Sequence, residues 1–227
     1  LLDAVAEAPT EHVLYIKGYL VGLNLEEIVN RIPRESKIIG VSVIFTHEWP
    51  MAVRLLQLIK EARPDSFLMI GGEHVTSMPE FCLVTSSADV VVLGEGEETA
   101  TELVSTVADG KSITGITGIG YRSNGSVVIN PRRSRNQEVD DIPWPAWKHI
   151  DLDAYHEHRF VGGMYSDRKT IPILATRGCP YQCTFCSAPN MWEPTWLPRD
   201  PAKVADEIEH YVKVYGAGNF PFQDLTA

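Results

Sequence analysis

The sequence predicts an α/β protein: a doubly wound parallel sheet followed by the opening of a second α/β unit. Three observations carry this expectation. Short Val- and Ile-rich runs alternate with helical periodicities from residue 38 to residue 108, the pattern of a parallel sheet covered on both faces. Each apolar run ends in a glycine-rich or polar turn. The pattern then breaks at a polar, proline-punctuated stretch and restarts near Thr170.

The elements follow in order. Leu1–Ala8 reads as a helix or the tail of one, and His12–Lys17 as a short strand. Asn24 has Glu27 three residues on, the capping-box spacing; Leu25, Ile28, Val29 and Ile32 share a helical face, and Pro33 stops it. Ile38–Phe45 is a nearly continuous apolar run and predicts a buried strand. Pro50 opens a helix with Ala52, Leu55, Leu56 and Ile59 as its stripe, ended by Pro64. Phe67–Ile70 is a strand, Met78–Thr85 a short helix and Asp89–Leu93 a strand. Ala100, Leu103, Val104 and Val107 form the next stripe, closed by Asp109–Gly110. Asn124–Gly125 between Gly118–Arg122 and Ser126–Ile129 is a hairpin signal.

From Asn130 to about Ile150 the chain is polar, with Arg132, Arg133 and Arg135 and then Pro143-Trp144-Pro145. It reads as a surface linker whose arginines are solvated. Ile171–Thr176 is then a strand, Asp200 and Pro201 open a helix lined by Val204, Ile208, Tyr211, Val212 and Tyr215, Gly216 ends it, and Asn219–Phe222 is a strand. The expected division is a front domain over 1–130, a linker over 131–169 and a second unit over 170–227.

The 227 residues carry 30 acidic and 20 basic side chains, a net charge of −10. That balance argues against nucleic acid as a partner, which wants a basic face. No apolar stretch approaches the roughly 20 residues that span a bilayer. The chain starts at Leu1 without a signal-peptide pattern and stops at Ala227 straight after a strand. We therefore expect a cytoplasmic protein and a piece of a longer polypeptide.

Three of the four cysteines crowd one loop, Thr176-Arg-Gly-Cys179-Pro-Tyr-Gln-Cys183-Thr-Phe-Cys186. Thiolates at spacings of four and three can wrap three corners of an iron–sulfur cube. A 4Fe–4S cluster normally takes four cysteines, so three leave one iron with an open position for a substrate or cofactor. Structural zinc wants four protein ligands, and no nearby His or Cys completes the set, His210 being mid-helix. A disulfide fits poorly without an export signal. Core cysteines would not cluster in a loop holding glycine and proline. The fourth, Cys82, reads as a small buried apolar residue.

Cys-x-x-x-Cys-x-aromatic-Cys after a strand resembles the signature of radical S-adenosylmethionine (SAM) enzymes. The resemblance implies that Cys179, Cys183 and Cys186 hold three irons of a 4Fe–4S cluster while SAM chelates the fourth. It implies that one electron cleaves SAM to methionine and a 5′-deoxyadenosyl radical, with flavodoxin or ferredoxin as the kind of reductant. It places Phe185 near the adenine and Asp224, at the end of the last strand, near the SAM amino group. The family fold is a partial (β/α) barrel of six units, of which this chain would hold the first unit and the second strand.

The front strands end in Ser42…Thr46-His47-Glu48, Gly71-Gly72-Glu73-His74 and Gly94-Glu95-Gly96-Glu97. In such sheets ligands bind beyond the carboxyl ends of the strands. Placed before the cysteine loop, these segments resemble the flavodoxin-like cobalamin-binding domain of cobalamin-dependent radical SAM enzymes. The resemblance makes Ser42, Thr46, His47, Glu48, Gly71, Gly72, His74, Gly94, Glu95 and Gly96 the candidate cobalamin contacts. The Asp-x-His-x-x-Gly motif is absent, which speaks against a histidine below the cobalt. The first, central strand of the domain also has no counterpart.

The function this implies is reductive SAM cleavage for methyl transfer to an unactivated carbon of a small molecule. Cyclisation or rearrangement of the porphyrin-cyclase kind uses the same architecture. A front domain that binds no cobalamin and acts as a docking module is the third reading. A methylthiotransferase would need three front-domain cysteines, and only Cys82 is there.

Overall fold

The computed structural model describes residues 14–16, 19–21, 23–157 and 167–226. The expected helix at Leu1–Ala8 lies outside them. β1 (Leu14–Ile16) and β2 (Tyr19–Val21) pair antiparallel as a separate two-stranded sheet. α1 (Leu25–Arg31) has its capping box: Asn24 Oδ1 accepts from the Glu27 N–H at 2.9 Å and Glu27 Oε2 accepts from the Asn24 N–H at 2.8 Å.

The main sheet has five strands in sequential spatial order: β3 (Ile38–Ser42), β4 (Phe67–Gly71), β5 (Val90–Val92), β6 (Ile119–Ser123) and β7 (Ser126–Ile129). The first three run parallel, and the hairpin extends them antiparallel, so the sheet is mixed at one side. α2 (Trp49–Ala62) connects β3 to β4; α3 (Glu73–Ser77) and α4 (Pro79–Thr85) connect β4 to β5; α5 (Glu97–Ala108) leads to β6.

Side chains alternate across a strand, and the two faces are both apolar here. Leu68, Ile70 and Val91 join Leu56 and Ile59 of α2 and Leu83 of α4 in one core. Val90, Val92 and Ile119 join Leu103 of α5 in a second core on the opposite face. That two-sided cover is the doubly wound arrangement the runs predict. Cys82 is fully buried in the first core, as expected.

Arg122, on β6, ties this layer together. Its guanidinium donates to the carbonyls of Leu83, Ser86 and Ala88, capping the exit of α4.

Several expectations are corrected. The strand predicted over Ile38–Phe45 ends at Ser42. Val43 still donates to the Gly71 carbonyl at 2.8 Å, but Ile44 and Phe45 turn out to solvent, 51% and 55% exposed, as the chain enters the 3-10 turn Thr46–Glu48. Arg132 is exposed as expected, but Arg133 and Arg135 are not solvated. Arg133 Nε donates to Thr99 Oγ1 at 2.9 Å and the guanidinium pairs with Glu102, while Arg135 is buried against Glu95. The acidic start of α5 supplies the partners, which a one-dimensional reading of the basic run could not include. Val212, expected on the buried face of the last helix, is 47% exposed.

The second unit packs Ile171, Ile173 and Ala217 against Val204 and Tyr211 of α8 (Pro201–Tyr215). Asp200 Oδ1 caps α8 at the Ala202 N–H, 2.8 Å away, and Gly216 closes it in the left-handed conformation. The runs expected as full strands meet only at two parallel bridges, Thr170 with Asn219 and Ile173 with Phe222. The end of the first turns aside as β8 (Thr176–Arg177) to pair antiparallel with β9 (Leu197–Pro198). The short helices α6 (Leu152–Glu157) and α7 (Ala188–Trp192) complete the described elements.

Candidate functional site

The carboxyl ends of β3, β4 and β5 lie at one edge of the sheet. Gly72 follows β4 with φ +103°, and a Cβ there would stand 2.5 Å from the Val43 carbonyl oxygen. Only glycine lets the two turns pass this closely. The turn delivers His74 into α3, 3% exposed, with Nδ1 3.2 Å from Thr46 Oγ1. Its Nε2 has no hydrogen-bond partner among the described residues. Burial holds the imidazole below its ordinary pKa, so it is neutral at pH 7.

Around His74 stand aromatic rings: Trp49 at 5.0 Å and Phe81 at 6.5 Å between centroids. Phe45 stacks on His47 at 5.6 Å. Phe45, Met78 and Phe81 keep 55%, 43% and 43% of their surface exposed. Ser42, Thr46 and His47 are exposed beside them, and Glu48 is half-buried. The result is an open apolar shelf with a few hydroxyls and the His47 imidazole, above the buried His74 ring. That composition suits a large, flat, mostly apolar ligand with polar appendages. On the third strand end, the Gly94 N–H donates to Thr76 Oγ1 at 3.0 Å, which fixes the Gly94-Glu95-Gly96 turn against α3.

The cysteine loop leaves β8 through Gly178, which has φ +85°. Cys179 is half-buried, with Sγ 3.1 Å from Thr226 Oγ1; Cys183 and Cys186 are exposed, and all three are free thiols. The Cys186 N–H donates to the Cys183 carbonyl at 3.0 Å, so the last two ligand candidates share a tight turn. Among the described residues no three His, Cys, Asp or Glu side chains converge on one ion-sized point. A cluster does not ask for that, because each thiolate binds a different iron. Three free thiols on one loop are a donor set that suits such a cluster.

Phe185 is 92% exposed on the same loop. Asp224 is engaged: its carboxylate accepts from Thr176 Oγ1 at 2.5 Å and from the Ala175 N–H at 3.1 Å. It fastens the end of the last run to the start of the cysteine loop.

The structure brings these two regions together. Ser187 Oγ hydrogen-bonds the Glu73 carboxylate, and α7 packs on α3. Glu95 pairs with Arg135 and Arg177, and Arg177 also pairs with Glu97 at 2.7 Å. So Glu95, a candidate ligand contact by sequence, spends its carboxylate on arginines. Arg135, Arg177 and Ser187 are the residues that sequence reasoning missed. The available signals were Arg177 beside Gly178 and the unmatched acidic turn at 95–97.

Comparison with known proteins agrees with this layout. Residues 2–104 match the B12 binding domain family. The chain is 30% identical over 219 residues to an uncharacterized methyltransferase of Pyrococcus horikoshii, covering 95% of this chain and 46% of that one. It is 32% identical over 218 residues to the anaerobic magnesium-protoporphyrin IX monomethyl ester cyclase of Rubrivivax gelatinosus, covering 93% and 38%. The solved structure of the cobalamin-dependent S-adenosylmethionine radical enzyme OxsB, with aqua-cobalamin and S-adenosylmethionine bound, superposes with a TM-score of 0.71 at 20% identity, over 99% of this chain and 31% of that one. The chain thus spans less than half the length of these relatives. With a B12-binding match ahead of a three-cysteine loop in the radical SAM spacing, this chain is similar to radical SAM proteins with a cobalamin-binding domain.

Proposed function

We propose that the chain is the cobalamin-binding front and the cluster-binding start of a radical SAM enzyme that transfers a methyl group to an unactivated carbon of a small molecule. The observation that carries this is that the loop holding the free thiols Cys179, Cys183 and Cys186 is tied at both ends to the carboxyl edge of the front sheet, Arg177 to Glu95 and Ser187 to Glu73. The methyltransferase relative of Pyrococcus horikoshii supports the reaction type. When bound, the cluster supplies an electron to SAM and the cobalamin supplies a methyl-carrying cobalt. Cys179, Cys183 and Cys186 would hold the irons. Phe185 is free to lie along the adenine. Asp224 holds the loop's entry, so its contact with SAM would need it to share hydrogen bonds with Thr176. The corrin would lie on the shelf of Phe45, His47, Phe81 and the Gly72 and Gly94 turns, with Ser42 and Thr46 as polar contacts and the buried His74 bracing Thr46 from beneath.

We read residues 1–130 as the front domain, 131–169 as the connection and 170–227 as the barrel start. Reduction would come from a flavodoxin or ferredoxin, and the compartment would be the cytoplasm; among the described residues no helix is long and apolar enough to cross a membrane. Cyclisation is the second reading, favoured by the 32% identity to the porphyrin cyclase.

The test uses the complete protein purified anaerobically with cobalamin supplied. Iron and cobalt should both copurify, and Cys183→Ala should lose iron and 5′-deoxyadenosine production. Normal SAM cleavage by Cys183→Ala would refute the ligand assignment. Iron without cobalt would reduce the front domain to a docking module.

A further inference from the structure

Glu95 is the last group the front sheet offers before α5, held between Gly94 and Gly96. Its side chain is 9% exposed. Oε2 accepts from Arg135 Nε at 3.1 Å, and Oε1 accepts from Arg135 Nη2 at 3.4 Å and Arg177 Nη1 at 3.3 Å. The two arginines are 5% and 15% exposed. Arg135 uses its remaining nitrogen to reach the second unit: Nη1 donates to the Thr195 carbonyl at 2.8 Å, and the guanidinium lies 5.6 Å from the Trp192 ring.

Gly178 stands directly against this guanidinium. A Cβ on Gly178 would meet Arg135 Nη1 at 2.9 Å and the Thr195 carbonyl at 2.2 Å. Cys179 is the next residue. One carboxylate of the front sheet therefore fixes Arg135, Arg135 fixes the Thr195 carbonyl beside Gly178, and Arg177 ties the same loop a second time. The charges balance, two carboxylates to two guanidiniums with Glu97 included. Such a buried, bidentate arrangement is directional. It specifies geometry more than it adds stability, and loss of one member leaves a buried charge unpaired.

We propose that Glu95 is a positioning residue that sets the cysteine loop against the carboxyl edge of the front sheet, through Arg135 and Arg177. Its catalytic meaning, the spacing between cluster and corrin, rests on the functional reading above. Neither arginine needs to touch a ligand for this.

The first experiment is amide hydrogen exchange on the complete protein without cofactors, comparing Glu95→Gln with the parent. Glutamine keeps the shape and removes the charge. Exchange at residues 177–187 should rise at least tenfold, with β4 and β5 unchanged within twofold. No change in the loop would overturn the proposal. A parallel rise in loop and sheet would also overturn it, because Glu95 would then be an ordinary core stabiliser. Should Glu95→Gln fail to fold, Arg177→Gln leaves the Glu95–Arg135 pair intact. It should speed exchange in the loop alone, by a smaller factor, and an unchanged loop again overturns the proposal.

A second readout uses the loaded protein. Glu95→Gln should keep its iron and cobalt but change the magnetic coupling between reduced cluster and cob(II)alamin, seen as altered broadening in the electron paramagnetic resonance spectrum. Identical broadening with full loading would overturn the positioning role. A parent protein that takes up neither metal would sink the functional reading and leave the exchange result standing.

Discussion

Gly178→Ala is the substitution whose cost can be worked most directly. Gly178 has φ +85°, and its new Cβ would fall 2.2 Å from the Thr195 carbonyl oxygen. The left-handed conformation alone costs an L-residue about 1–2 kcal/mol. The clash adds to this, because both colliding groups are backbone or a pinned guanidinium, and relieving it means parting β8 from β9. Overpacking of this kind costs about 1–3 kcal/mol, so the total is roughly 2–5 kcal/mol. Gly110 is the internal control: it has φ +67° but nothing within 4 Å of its would-be Cβ. Gly110→Ala should pay only the conformational part. At roughly 2–4 °C per kcal/mol for a chain of this size, Gly178→Ala should melt several degrees below Gly110→Ala. The assay is thermal unfolding followed by circular dichroism, with both variants at one concentration. Equal melting temperatures for the two would refute the close-approach argument at the mouth of the cysteine loop.

Three further outcomes are expected. Arg122→Ala removes a fork that serves the Leu83, Ser86 and Ala88 carbonyls; the loss should be about 2 kcal/mol in urea unfolding, and a change under a few tenths would show that water replaces it freely. His74 is held below its ordinary pKa by burial, so below about pH 6.5 the unfolded chain takes up a proton that the fold resists. Its share of stability is whole above that pH and is lost as pH falls. His74→Gln should flatten the melting-temperature profile between about pH 7.5 and 5, and an unaltered slope would contradict the assignment. In the cofactor-free protein a thiol reagent should titrate Cys183 and Cys186 quickly and Cys179 next. Cys82, fully buried with its thiol pushed up to about 11, should react only on unfolding; fast reaction of all four would contradict its burial.

Much of the fold is legible in one dimension, for local reasons. The capping box at Asn24, the proline that opens α8 and the glycine that closes it act through neighbours three or four residues away. The alternating apolar runs of β4 and β5 needed helices on both faces, and both faces have them. Failures occurred where a partner lay far along the chain. Arg133 and Arg135 read as a solvated basic run because their carboxylates come from residues 95–102. Phe45 read as strand, although hydrophobicity alone does not say whether a side chain faces a core or a shelf. Val212 fell outside the buried stripe because the core beside α8 reaches its Val204 and Tyr211 positions and stops short.

The site divides in the same way. Three thiols at spacings of four and three, and glycines at the ends of successive strands, are written in the sequence because close spacing along the chain guarantees closeness in space. That much fixes the kind of chemistry. Which groups face each other across the junction depends on contacts between residues 40 to more than 100 positions apart, such as Glu95 with Arg135 and Glu73 with Ser187. Only folding brings those together. The burial of Glu95 among arginines, the neutral His74 and the seat of the cysteine loop on the front sheet all arise from that packing, because desolvation and charge pairing act through space and not along the chain.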